Sequence, residues 1–477
     1  MADAVTDLEP CNTSNAVNGL VTRENVLETL TELDVNDGSV KPRLATDWEQ
    51  QPDGAWRIHL REGVTFSDGA AFDAEALKYS TDRFFNPNLS TASCLNRERF
   101  FSDASIEVRV VDDYTVDFIS TPVDPILPRR LSQLVIASPN TPMDELTNDP
   151  IGTGPYVVTN YVPDQTVVLE RRDEYWGELP ETEQATYIWR SESAVRAAMG
   201  ETGEADIALE IAPTDASNPE TDLPYFNSET TRLRFAVGAP PLDDIRVRQA
   251  IKYAVDREAL ATLLNPGAEL ATQTVLPSVF GYNDELPQQE YDLDRARELI
   301  AEARADGVPV DATIRFINRD VLFSNTNEFA QAVQGMLAEI GLNLQYSNLS
   351  SPQWIQAMQR PTEDGTAAML MDSIDNNMGD AIFSVWTRYY SNRENGGGNV
   401  SDFGNAEFDR LYDAAVTAGG DERRQLLEDA FKVVYDAHIE LPLFHMVGIA
   451  RVSPRITFQP TLALVQELQL SQVTYKQ

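Results

Sequence analysis

Long hydrophobic runs are missing from this sequence. No stretch approaches the roughly 18 apolar residues that a membrane-spanning helix needs, which argues against a helical membrane protein. Metal-binding side chains are scarce as well. Cys11 and Cys94 are the only cysteines and form no CxxC, and His59, His438 and His445 are scattered, so a metal site lacks ligands at usable spacing. Catalytic motifs are absent too: there is no GxSxG elbow, no GxxxxGK phosphate loop, no HExxH and no cysteine–histidine arrangement. Nucleophilic and metal mechanisms therefore lose their footing, and no cofactor is expected. Paired carboxylates of the kind used in glycoside hydrolysis stay open, because 76 acids make chance pairs easy.

Basic charge is in deficit. Lys and Arg number 37 against 76 Asp and Glu, a formal net charge of −39. Such a field repels nucleic-acid phosphates and anionic lipid surfaces, so nucleic acid is not an expected partner. The acids read as a solvated surface suited to a salty exterior rather than as a cation pocket. In an exported protein the two cysteines could pair and stabilise by about 4 to 5 kcal/mol in the chain-entropy model; two separate buried thiols also fit. The opening residues, Met1-Ala2-Asp3-Ala4-Val5-Thr6-Asp7, show neither a basic n-region nor an apolar h-region. The protein is then either cytoplasmic or exported with its signal removed.

What the chain does have is length and pattern. Its 477 residues exceed the roughly 250 to 300 at which single cores stop growing, so two or three lobes are expected. Residues 45 to 150 read as hairpins with an embedded helix. Trp56, Ile58 and Leu60 alternate as in a half-buried strand, and Asp73 caps a helix that turns Leu77, Ser80 and Phe84 inward. Val108 and Val110, the turn Asp112-Asp113, then Val116 and Phe118 predict another hairpin. From about Arg234 strands and helices alternate, which predicts a parallel sheet flanked by helices. Ile314 and Phe316 mark a strand; Phe329, Val333, Met336, Leu337 and Ile340 line a helix that Gly341 ends; the strand 342–346 follows. Two further amphipathic helices are predicted, over Ile245 to Leu264 and from about Asp421 onward. Open α/β sheets bind ligands outside the carboxyl ends of their strands, which places Asn318, Arg319 and Asp320 at a cleft edge.

Several motifs then occur together and in order. They are Asn25-Val26-Leu27-Glu28-Thr29-Leu30, Leu44-Ala45-Thr46-Asp47-Trp48-Glu49, His59-Leu60-Arg61-Glu62-Gly63-Val64-Thr65-Phe66-Ser67-Asp68-Gly69, Gly152-Thr153-Gly154-Pro155-Tyr156, Gly203-Glu204-Ala205-Asp206-Ile207 and Asp244-Ile245-Arg246-Val247-Arg248-Gln249-Ala250. In this order the chain resembles the family 5 extracellular solute-binding proteins of ABC importers, which include receptors for dipeptides, oligopeptides, nickel chelates, opines and some oligosaccharides. The resemblance covers nearly the whole chain. It implies an α/β two-lobed periplasmic-binding-protein fold of type II, cluster C, with an extra α+β subdomain in lobe I. Lobe I is expected over 1–235, with the subdomain at about 33–150; lobe II over 236–446; and 447–477 returns to lobe I. The implied function is non-enzymatic: a periplasmic receptor, expected to be monomeric, that closes by a hinge on a peptide or peptide-like solute and delivers it to a membrane permease. An opine, a nickel chelate or an oligosaccharide fits the same scaffold.

Candidate ligand contacts follow from both readings. Arg319 at a strand's carboxyl end can hold a carboxylate bidentately, and it stands where similar dipeptide receptors place their carboxylate-binding arginine. A surface ion pair to Asp320 or another acid is the structural alternative. Asp372, Asp375 and Asp380 line the end of the strand 366–371; the resemblance implies that an aspartate here accepts a ligand amine, and helix capping is the alternative for Asp380. This segment departs from the family pattern, with Asp372-Ser373-Ile374 where a tryptophan is usual and Gly379-Asp380-Ala381 in place of an Asp-Pro element. Trp386 and Tyr389, with Tyr390, are aromatic groups suited to an apolar pocket wall or to core packing. Asn399, Ser401 and Phe403 follow the glycine run 396–398 in a stretch similar to the family's pocket-edge loop, and Asn15 and Asn18 extend the site from lobe I.

Overall fold

The computed structural model describes every residue except 14–15, 35–37, 90–93, 102–104, 265–266, 320–321, 323–324, 360, 363–364, 377, 392–400, 461–467 and 477. The chain divides into two compact units, Met1–Asn227 together with Gly448–Gln477, and Ser228–Val447.

In the first unit β1 (Ala45–Gln50), β2 (Trp56–Leu60), β3 (Ser105–Asp112) and β4 (Thr115–Thr121) form an antiparallel sheet in the order β1-β2-β4-β3. Ile58 and Leu60 are buried and Trp56 is half-buried, the alternation expected of a one-sided strand. The helix α1 (Ala74–Phe84) starts where Asp73 accepts a hydrogen bond from the Ala76 amide at 2.9 Å, and it buries Leu77, Ser80 and Phe84. Inside this unit Arg57 and Arg109 both donate to the buried Asp117, at 2.8 and 2.7 Å, and together they hold its carboxyl below the usual range.

The strands β5 (Tyr156–Val162), β6 (Thr166–Arg171) and β7 (Gln184–Ile188) make a second antiparallel sheet. The two glycines ahead of β5 are required by space. A Cβ on Gly152 would stand 2.0 Å from the Val26 carbonyl oxygen, and one on Gly154 would stand 2.4 Å from that of Asn25. The Tyr156 amide donates to the Asn25 carbonyl at 2.9 Å, so the segments 25–27 and 152–156 are one packed assembly. Cys11 and Cys94 are joined by a disulfide, which settles the pairing that the sequence left open. Beside it the buried Glu9 takes two hydrogen bonds from Arg83, at 2.7 and 3.1 Å.

The strand β8 (Asp222–Ala236) carries the chain from the first unit into the second. There follow α2 (Ile245–Ala254), α3 (Arg257–Leu264), α4 (Leu293–Ala305), β9 (Thr313–Arg319), α5 (Thr326–Ala338), β10 (Asn343–Leu349), α6 (Ser351–Gln359), β11 (Ala368–Asp375), α7 (Ala381–Tyr389), α8 (Ala406–Thr417) and α9 (Gly420–Asp436); β12 (Glu440–Val452) returns the chain. Two expectations are corrected here. The helix expected over Ile245 to Leu264 is two helices, because Val255 takes extended backbone, φ −91° and ψ 108°. The sheet is mixed rather than parallel: β9 runs parallel to β10 and β11, but β8 pairs with β11 antiparallel. Leu233, Phe235, Ile314, Phe316, Phe329, Val333, Met369 and Met371 fill the core on one face of this sheet. Burying each such side chain contributes about 1.5 to 3 kcal/mol.

Candidate functional site

The opposite face of the sheet in the second unit is lined by arginine. Side chains alternate along a strand, so Arg232, Arg234 and Ala236 of β8 face away from the Leu233–Phe235 core, as do Ala368, Leu370 and Asp372 of β11 and Arg315, Ile317 and Arg319 of β9. The register sets these in rows. Arg234 stands opposite Leu370 and Leu370 opposite Ile317; Arg232 stands opposite Asp372 in the next row. Arg319 ends β9 two residues beyond Ile317. Trp354 of α6 packs on Ala236, Ile317, Ala368 and Leu370 and so closes part of this face.

Arg319 is half-buried, with its guanidinium carbon 5.9 Å from the Trp354 ring centroid. Among the described residues its buried Nε has no hydrogen-bond partner, nor has the Trp354 indole Nε1. Asp320, the acid expected as its structural partner, lies outside the described residues. Asn318 turns to the other face and is fully engaged with Tyr346, Asn348 and Thr326.

Asp372 is buried in an ion network. Arg232 reaches it at 2.7 Å and Arg234 at 3.2 Å; Arg232 also reaches Glu440 at 2.5 Å and the Tyr389 hydroxyl at 3.0 Å. Tyr389 donates to Glu440 at 2.8 Å and shares a hydrogen bond with Thr274 at 3.1 Å. Burial by itself would raise the Asp372 carboxyl, but the two guanidiniums hold it below the usual range. Asp372 and Tyr389 are therefore engaged by partners within the protein. Asp380 is likewise engaged: it caps α7 through the Ile382 amide at 2.9 Å and pairs with the buried Arg423 at 3.1 Å. Phe403 is buried against Phe408, rings 6.4 Å apart, and Asn18 is buried against Asp7 and Glu9. Asp375 ends β11 half-buried, opposite Glu229 in the ladder. Asn15, Asn399 and the side chain of Trp386 lie outside the described residues.

The sequence reading missed Arg232, Arg234, Arg388, Glu440 and Trp354. A signal for the first two was present, since arginines at every second position, alternating with Leu233 and Phe235, are anomalous in a strand with one apolar face. Among the described residues no three His, Cys, Asp or Glu side chains gather to hold a metal ion, and no helix is long and apolar enough to cross a membrane. A cavity of about 340 Å³ lies apart in the first unit, where Ala185, Ile207, Leu209 and Leu470 give it a mainly apolar wall. None of the candidate ligand contacts lines it.

Residues 39–396 match the family described as Bacterial extracellular solute-binding proteins, family 5 Middle. Heme-binding protein A of Haemophilus influenzae is 26% identical over 91% of this chain and 84% of its own length. A dipeptide-binding protein of Escherichia coli is 27% identical over 87% and 83%. Among solved structures, the periplasmic binding protein DppA of Helicobacter pylori in complex with the peptide STSA aligns with a TM-score of 0.79 at 20% identity, covering 100% of this chain and 97% of that one. NikA of Brucella suis in complex with Fe(III)-EDTA aligns with a TM-score of 0.82 at 23% identity, covering 99% and 98%. The expected α/β periplasmic-binding-protein fold is borne out by these likenesses.

Proposed function

Because this chain belongs to the bacterial extracellular solute-binding proteins of family 5, we propose that it is the periplasmic receptor of an ABC importer and captures a peptide or peptide-like solute by hinge closure of its two lobes. It does so as a monomer and without chemistry on the solute, which passes to a membrane permease. The observation that carries the reading is Arg319. It stands at the carboxyl end of a parallel strand, where α/β folds place ligands, and its guanidinium lies beside Trp354 with Nε unpartnered among the described residues. An arginine so placed suits a carboxylate taken bidentately. Asp375, half-buried at the end of the neighbouring strand, is the acid assigned to the solute's amine. The peptide class is supported by the named ligands of relatives such as the Escherichia coli dipeptide-binding protein.

Titration calorimetry with a panel of di- and tripeptides tests this reading. Arg319→Ala is expected to cost about 1.5 to 3 kcal/mol of binding, a weakening of about 10- to 150-fold. A loss below about threefold would remove Arg319 from the site.

A further inference from the structure

Two guanidiniums of the second unit are not used up by their surroundings. Arg234 is 1% exposed, yet among the described residues neither of its terminal nitrogens has a hydrogen-bond partner. Its ion pair among these residues, from Nε at 3.2 Å, is to an Asp372 carboxylate that Arg232 already holds at 2.7 Å. Arg388, in the last turn of α7, has a half-buried side chain with a sealed Nε, and it makes no hydrogen bond or ion pair among the described residues. These two and Arg232 lie close enough to oppose one another's charge. The acids acting on them are Asp372, Glu440 and Asp375, and both Asp372 and Glu440 are closed onto Arg232 by hydrogen bonds.

An arginine does not shed its proton inside a protein, and a buried cation without a hydrogen-bonding partner costs several kcal/mol. A carboxylate would answer two N–H groups at once. In a chain of net charge −39, two guanidiniums on one sheet face and a third from α7 are set against three carboxylates, so the charges balance while N–H groups of Arg234 and Arg388 stay unanswered among the described residues. A surface so acidic does nothing to attract anions, so this cluster is selective for an anion already inside the site.

Resting on the peptide-receptor reading, we infer that Arg388 and Arg234 form a second subsite that reads acidic groups. Arg388 contacts the acid, and Arg234 behind it supplies charge and donors. The solute class is then a peptide or peptide-like molecule that carries a carboxylate beyond the one assigned to Arg319.

Titration calorimetry on the full chain with Ala-Glu and Glu-Ala, each against its isostere Ala-Gln or Gln-Ala, tests the subsite. The acidic member of at least one pair is expected to bind about fivefold tighter or more, and Arg388→Gln to abolish that preference. Arg388 is the first choice because Arg234→Met alters a fully buried position and serves only where the circular dichroism spectrum is retained. A preference below about fivefold in both pairs, or one that Arg388→Gln leaves unchanged, overturns the subsite and leaves the peptide reading standing. Binding by none of the four peptides overturns the peptide reading, and the subsite falls with it.

Discussion

Arg232→Met is expected to lose about 3 to 5 kcal/mol of folding stability, the largest effect of any single change to the buried network. The side chain is fully buried and joins Asp372, Glu440 and Tyr389, three groups far apart in sequence. Methionine fills a comparable volume, so little of the loss would come from a cavity. The cost arises because the side-chain oxygens of Asp372 and Glu440 would lose their main donor in a low-dielectric interior. Arg234 would remain beside Asp372, which holds the loss to a single disrupted network rather than a collapse of the sheet. Urea unfolding measures the effect. A loss under about 1 kcal/mol would mean that the network adds no more than a surface ion pair.

Cys94→Ser is expected to cost about 4.5 kcal/mol in the chain-entropy model, since the disulfide closes a loop with a sequence separation of 83 residues. Both cysteines are buried. The bond ties the turn at Pro10–Asn12, where Glu9 meets Arg83, to the start of the helix Leu95–Phe101. The two variants act on different units of the chain. Arg232→Met should lower an unfolding transition of the second unit and Cys94→Ser one of the first, because units with separate cores need not unfold together. Reductant should reproduce the serine effect in the native chain and do nothing further to Cys94→Ser. A serine variant within about 1 kcal/mol of the native chain would contradict the loop-closure account.

Much of the fold was legible because its signals are local. The alternation of Trp56, Ile58 and Leu60, the Asp73 cap, and the succession β9-α5-β10 with Gly341 in the turn between α5 and β10 all depend on residues within a few positions of one another. Strand direction is not local in this way. β8 enters the second unit from the first, and nothing in Leu233 or Phe235 says that it will pair with β11 antiparallel. The break between α2 and α3 was hidden because the apolar pattern continues across Val255 and Asp256.

The site divides on the same ground. Arg319 was readable as the last residue of a strand in a βαβ unit. Asp372 and Asp380 were read toward a solute because an acid at a strand end looks the same in sequence whether it meets a ligand or the protein's own arginine. Their partners lie far off: Arg232 is 140 residues from Asp372, and Arg423 is 43 from Asp380. Tyr389 was legible either as a pocket wall or as core packing for a similar reason, since its partner Glu440 is 51 residues away.

Native mass spectrometry of the chain mixed with short peptides, some acidic and some neutral, decides whether this molecule binds a solute and leaves it unaltered. The account predicts a complex of one chain with one intact peptide, enriched in the acidic members. A spectrum showing only the free chain, or peptides recovered cleaved, would contradict it.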